Sequence, residues 1–114
     1  MSLATDRAAI AVQLSTVAGV TGYEYRPAVP RPGDAWPTLP SLELQAGLVW
    51  RPTWTVVVFL PQDERTASAW LDAHFTALAD ALRGGNTFPE TAEPALMPTE
   101  AGDAYVLEIT IRSH

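Results

Sequence analysis

The sequence contains no cysteine and no lysine. Without cysteine it has no disulfide framework and no thiolate metal site. Without lysine, all 7 cations are arginine, set against 13 acidic residues for a formal net charge of −6. Affinity for nucleic acid comes largely from neutralising phosphates. The acidic balance therefore argues against a nucleic-acid binder and suits a surface that DNA passes without sticking. Long apolar runs are missing too. "TVVVFL" stops at Pro61, far short of the ~20 residues that span a membrane. The opening "MSLATDRAAI" has no basic stretch followed by an apolar block, so no secretory signal is expected.

What remains reads as one globular domain. Hydrophobic residues make up 47% and charged residues 18% of 114 positions, a composition that folds instead of staying disordered. A chain of this length buries roughly 65% of its unfolded surface, enough for one modest core.

Thr5 is a natural N-cap with Asp6 in the first turn, and Ile10, Leu14 and Val17 follow at helical spacing before Gly19. This predicts a helix over 5–18. "VTGYEY" follows as a short strand. "SLELQAGLVW" alternates, with Leu42, Leu44, Ala46 and Leu48 on one side, as a half-buried strand does. "RPT" with Pro52 reads as a turn, and "WTVVVFL" after it as a central strand covered on both faces. The two strands form a hairpin over 42–60, with Trp50 and Trp54 pairing across its turn. "ERTASAWLDAHFTALADALR" predicts a helix over 64–83, its apolar stripe being Trp70, Leu71, Phe75, Leu78 and Leu82. Gly84-Gly85 stops it. Residues 86–102 read as loop, with "ALM" as a short edge strand, and the final strand covers 104–112. His114 is a mobile terminus. The expected fold is α+β: a small, mostly antiparallel sheet, a long helix packed on one face, and an N-terminal helix.

Between the first two strand signals lies "RPAVPRPGDAWPTLPS", residues 26–41. Proline fixes φ and removes a backbone donor, so this segment is expected to be a stiff arm over the surface, neither helix nor central strand. Trp36 sits within it among turn formers. A loop tryptophan either folds back onto its own domain or anchors in a partner, where aromatics and arginine carry much of the binding energy. Arg26, Arg31, Trp36, Leu39, Trp50 and Arg51 are the candidate subunit-interface residues. Arg31 and Arg51 either meet acids on an adjacent copy or remain solvated.

Catalytic chemistry finds little support. His74 lies in the long helix, and neither Asp72 nor Asp80 stands three or four positions from it, so no carboxylate orients it as a base. It reads as a helix-surface or boundary histidine. No HxxxH or calcium-loop spacing occurs. "LRGGNT" follows a helix instead of opening one, so it cannot cradle phosphate as glycine-rich loops do. Asp63-Glu64 is explained by capping. No catalytic, metal or cofactor site is expected.

The order of elements resembles that of the tail terminator proteins of long-tailed bacteriophages, also described as tail completion or minor tail proteins. The features that carry it are "DRAAIAVQLSTVAGV" leading into "TGYEYRP", the crossing "WPTLPSLEL", "WTVVVFLP", the helix "ASAWLDAHFTALADALR" and the closing "DAYVLEITIRS". The resemblance covers nearly the whole chain and is one of layout. It implies a ring-forming structural protein of the virion, typically six copies, on the head-proximal end of the tail tube. There it ends tube polymerisation and joins the tail to the head connector or stopper. Its partners would be further copies of itself, the tube protein, the connector, and DNA sliding through the lumen without specific binding. No membrane is involved, and assembly takes place in the host bacterial cytoplasm. A neck or stopper protein, or a small cytoplasmic ligand-binding α+β domain, are the alternatives.

Overall fold

The computed structural model describes residues 2–84 and 87–113. Gly85, Asn86 and His114, expected in a helix stop, a loop and a mobile terminus, lie outside the described residues. In chain order the elements are α1 (Leu3–Ser15), β1 (Thr21–Gly22), β2 (Asp34–Pro37), β3 (Ser41–Gln45), β4 (Val49–Phe59), α2 (Glu64–Leu82), β5 (Thr87–Thr99) and β6 (Gly102–Ser113). The strands form one sheet of 6, ordered β1-β2-β4-β6-β5, with β3 also paired to β4. Among the described residues the β1–β2 contact alone is parallel. The fold is α+β, as expected.

Strand alternation gives the sheet two apolar faces. Trp54, Val56 and Val58 of β4 point to the same side as Leu107, Ile109 and Ile111 of β6, and Ile10, Leu14, Ala67, Leu78 and Leu82 of the two helices cover them. Trp36, Val57, Phe59, Ala104 and Val106 form a second cluster, with Ala95 and Met97 packed against it. The central strand β4 is therefore covered on both faces, which explains its unbroken apolar run.

Helix α1 starts earlier than expected. Ser2, not Thr5, is the N-cap, its hydroxyl accepting from the Thr5 N–H at 3.2 Å. Both residues are good caps; with Ser2 in extended backbone and accepting from Thr5, Thr5 itself falls inside the first turn. The helix ends at Ser15, ahead of the positive-φ glycine at 19. At Gly22 the backbone comes so close to α1 that a Cβ there would lie 2.2 Å from the Ala11 oxygen. Only glycine fits. Gln13 of α1 in turn donates to the carbonyls of Ala81 (3.2 Å) and Gly84 (2.9 Å), tying the end of α2 to α1.

Helix α2 is capped by Asp63, whose carboxylate accepts from the Thr66 N–H at 3.0 Å and the Thr66 hydroxyl at 2.9 Å. The backbone bond, and then the hydroxyl, lower the Asp63 pKa below its ordinary 3.8. A depressed folded-state pKa contributes stability above the unfolded pKa, and that contribution is lost as pH falls through the folded one. Asp63→Ala is accordingly expected to melt at a lower temperature than the parent at neutral pH. The difference should narrow only in acid below 3.8. A gap that persists unchanged into strong acid would mean that the cap is not what stabilises the helix.

The proline-rich segment departs most from expectation. Its first part crosses beside the second apolar cluster, where Tyr25 and Arg26 line a groove of about 450 Å³ with Trp36, Val57 and Met97. Arg26 donates to the Pro98 carbonyl at 3.2 Å. The chain then enters the sheet, and all four residues of β2 are buried. β2 lies between β1 and β4, so the segment does contain an interior strand. Proline is tolerated there for a specific reason. Thr38 N–H donates to the Thr55 carbonyl at 2.8 Å, so Pro37, one residue earlier, turns its nitrogen away from β4. It turns it to the side where β1, paired only with Asp34 and Ala35, has already ended.

Two further expectations are corrected. The hairpin turn is at Ala46–Leu48, not at "RPT", which lies inside β4. Gly47 (φ 89) and Leu48 (φ 62) make that turn. The stretch read as loop is β5, a strand of 13 residues. Its prolines hid it, although each sits where a proline does no harm, as the edge geometry below makes clear.

Candidate interaction surface

The molecule is elongated, 46 × 28 × 20 Å, and the β3–β4 hairpin extends past the helical layer. Leu44 lies opposite Trp50, and Leu42 opposite Pro52. By alternation Trp50 shares the β4 face that holds Trp54, Val56 and Val58. The apolar face of the sheet thus continues into the hairpin, where no helix covers it. Leu42, Leu44 and Val49 are exposed, Trp50 is 53% exposed and Leu48 at the tip 82%. Leu48 also holds a positive φ, a conformation that costs a branched residue on the order of 1 kcal/mol or more. On the opposite face Glu43 stands across from Arg51.

Further along that polar face, Thr55, Thr91, Glu93, Glu108 and Thr110 line a recess of about 140 Å³. Glu93 lies directly opposite Glu108, a like-charge pairing that disfavours the ladder.

The sheet edges are treated very differently. β1 is closed by α1: the Gly22 N–H donates to the Ser15 hydroxyl at 3.0 Å. Where β1 stops, Pro37 has no N–H to expose and its carbonyl accepts from Arg7 at 2.8 Å. On the far side, Leu60 N–H donates to the Tyr105 carbonyl at 3.2 Å. Odd-numbered residues of β6 therefore face β4, and whatever lies opposite them in β5 turns its peptide groups outward. Pro89, Pro94 and Pro98 lie opposite Ile111, Leu107 and Asp103. All three prolines therefore blunt the outer edge without breaking the ladder.

β3 has no such protection. It pairs only with β4, and the alternation leaves the N–H and C=O groups of Leu42 and Leu44 pointing to the open side. The opposite edge of the hairpin is open at Trp50, because the β4–β6 pairing begins at Thr53.

The six candidate residues divide. Leu39 (86% exposed), Trp50 and Arg51 lie on or beside the hairpin. Leu39 stands out because the chain takes four residue steps from Pro37 to Ser41 while its partner takes three from Val56 to Thr53, a β-bulge. Trp36 is a correction: it is 2% exposed, packed in the second core cluster of its own fold. Arg26 is bound to its own β5. Arg31, whose N–H donates to Asp34 at 2.9 Å, lies at the other end of the sheet. Leu42, Leu44, Leu48 and Val49 were missed, although "QAGL" carried a turn signal in Gly47. Trp50 and Trp54 do not pair with each other: Trp54 lies opposite Ile111.

His74 is a packing residue. Its Nδ1 lies 2.8 Å from the Trp70 carbonyl oxygen, and its ring stacks on Trp70 at 4.2 Å. Among the described residues, no group of three His, Asp or Glu side chains is placed to hold a metal ion. Among the described residues no helix is long and apolar enough to cross a membrane.

The chain matches no family model and no curated protein sequence.

Proposed function

We propose that this protein is a structural virion component, a tail-terminator-like ring of about six copies. It caps the head-proximal end of a phage tail tube, ends tube polymerisation and joins the tail to the head connector. It acts through its surfaces and not through catalysis. The observation that carries this reading is the protruding hairpin, whose apolar face runs unbroken out of the core and is left uncovered. Uncovered apolar surface of this kind marks interaction sites. A net charge of −6, summed over a ring, favours passage of DNA without adhesion.

The test is mass photometry of the purified protein, alone and with tail-tube protein. Discrete rings, or tubes whose length stops growing when this protein is added, are expected. A compact monomer indifferent to tube subunits would overturn the reading in favour of a small ligand-binding domain. Rings that bind only the connector would favour a neck or stopper protein.

A further inference from the structure

The ring reading leaves open how one copy grips the next. We infer that the hairpins themselves interlock, the open edge of β3 on one copy pairing with the open edge of β4 on its neighbour. Each junction then joins Leu44 to Trp50 of the next copy, and the hairpins close into a β-barrel around the ring axis. This rests on the ring reading and specifies its seam.

Four features of the molecule support it. The described sheet edges other than the hairpin are covered or interrupted: β1 by Ser15, the end of β2 by Pro37 with Arg7, and β5 by three prolines. Of the β5 residues paired to odd β6 positions from Pro89 to Pro98, these leave only Ala92 and Leu96 with outward N–H groups. A copy-to-copy sheet therefore continues most readily through the hairpin, whose β3 edge carries no proline between Ser41 and Gln45. The hairpin has two unlike open edges, one on β3 and one on β4, which is what a head-to-tail contact requires. Within each hairpin β3 and β4 are antiparallel, so in a rotational ring each β3 meets a neighbouring β4 antiparallel as well. Charge agrees too: with Leu44 beside the next copy's Trp50, Glu43 falls beside that copy's Arg51. The junction reproduces the opposite-charge pairing already present inside the hairpin.

Polarity fixes which side faces the axis. Both helices lie on one face of the sheet, so each body is wider there and that face turns outward. Leu42, Leu44 and Trp50 then face outward, on the side of the sheet that carries the helices. Glu43, Gln45 and Arg51 line the lumen, with Glu93 and Glu108 further along the same face, so water and passing DNA meet a polar, net acidic surface.

Because the chain has no cysteine, engineered thiols report the seam directly. Two variants, Leu44→Cys and Trp50→Cys, are mixed before assembly, with tube protein present if the parent ring needs it, and then oxidised. Paired strand positions lie within disulfide reach. The mixture is expected to give at least tenfold more cross-linked dimer than either variant alone. Leu44→Pro, which removes an edge donor but keeps an extended backbone, should reduce rings at least tenfold while its melting temperature stays within a few degrees of the parent.

A ring that forms normally from Leu44→Pro chains, or that yields no mixed cross-link, would overturn the seam and leave the ring standing. Cross-linking of Leu44→Cys alone would show β3 paired with β3 in a two-fold dimer, which also overturns it. A parent chain that forms no oligomer under any of these conditions would remove the ring and the seam together.

Discussion

Trp36→Ala is expected to destabilise the isolated domain by about 3–5 kcal/mol, the cost of emptying a large buried aromatic site. In a domain of this size that amounts to a fall in melting temperature on the order of 15 °C. The reason is the position of β2. Trp36 hydrogen-bonds in register with Val57 and packs with Phe59 and Val106 on the face away from the helices. That cluster has no helix above it, so one aromatic side chain supplies much of its volume. Trp50→Ala, by contrast, removes a side chain that is half in water, and is expected to change stability by less than ~1 kcal/mol. Thermal melts of the two variants, alongside ring assembly, separate the roles. A Trp36→Ala domain as stable as its parent, but unable to assemble, would restore this tryptophan to an interface and refute its place in the core.

That pair of tryptophans shows where sequence reasoning succeeds. Trp54, in an unbroken apolar run, reads correctly as core because periodicity and burial agree. Helix α2 reads to within a residue because its cap, its apolar stripe and its terminal glycine all point the same way. Proline is where the reading fails. Counted as a breaker, it turned β2 into an arm and β5 into a loop. In both strands it occupies positions whose peptide nitrogen has no partner to donate to. Whether a given proline is harmful depends on which neighbour lies on which side, and that is set by topology, not by local sequence.

The candidate surface was legible for the same kind of reason, in part. Leu39, Trp50 and Arg51 were picked out by flanking turn formers and residue type, and they do lie at the hairpin. The leucines of β3 were assigned to a buried face because they alternate, and alternation says only that two residues share a side. It does not say that anything covers it. In this chain the helices end before the sheet does, so the same apolar stripe is core at Val56 and bare at Leu44. Moving the turn from "RPT" to Ala46–Leu48 lengthens β4 by five residues at its start, Val49 to Thr53, and creates the projection. One glycine decided it.

Arg7→Ala is expected to cost about 3–5 kcal/mol, as much as the loss of a core tryptophan, although no pattern in the sequence distinguishes this arginine. It is 8% exposed. Its guanidinium donates to the carbonyls of Glu24 (2.7 Å), Pro37 (2.8 Å) and Thr38 (3.4 Å). It also lies 4.5 Å from the centroid of the Tyr25 ring and 5.3 Å from that of Trp54. No carboxylate is needed, because three carbonyl dipoles and two aromatic faces together stabilise the charge. Each hydrogen bond from a charged donor contributes about 1.5–3 kcal/mol, and alanine would leave the carbonyls behind with fewer partners. The side chain joins α1, the crossing segment and the end of β2 at the point where β1 stops, so its loss opens a sheet edge. Arg7→Lys keeps the charge but not the planar fork, and cannot reach three acceptors at once. It is expected to recover about half of the loss. Two measurements check this: the denaturant midpoint, and the rate of proteolysis between Tyr25 and Arg31, which should rise in the order parent, Arg7→Lys, Arg7→Ala. A lysine variant equal to the parent would mean that charge alone closes the edge. An alanine variant equal to the parent would mean that the edge needs no closing, and the contrast with β3 that singles out the hairpin would fail with it.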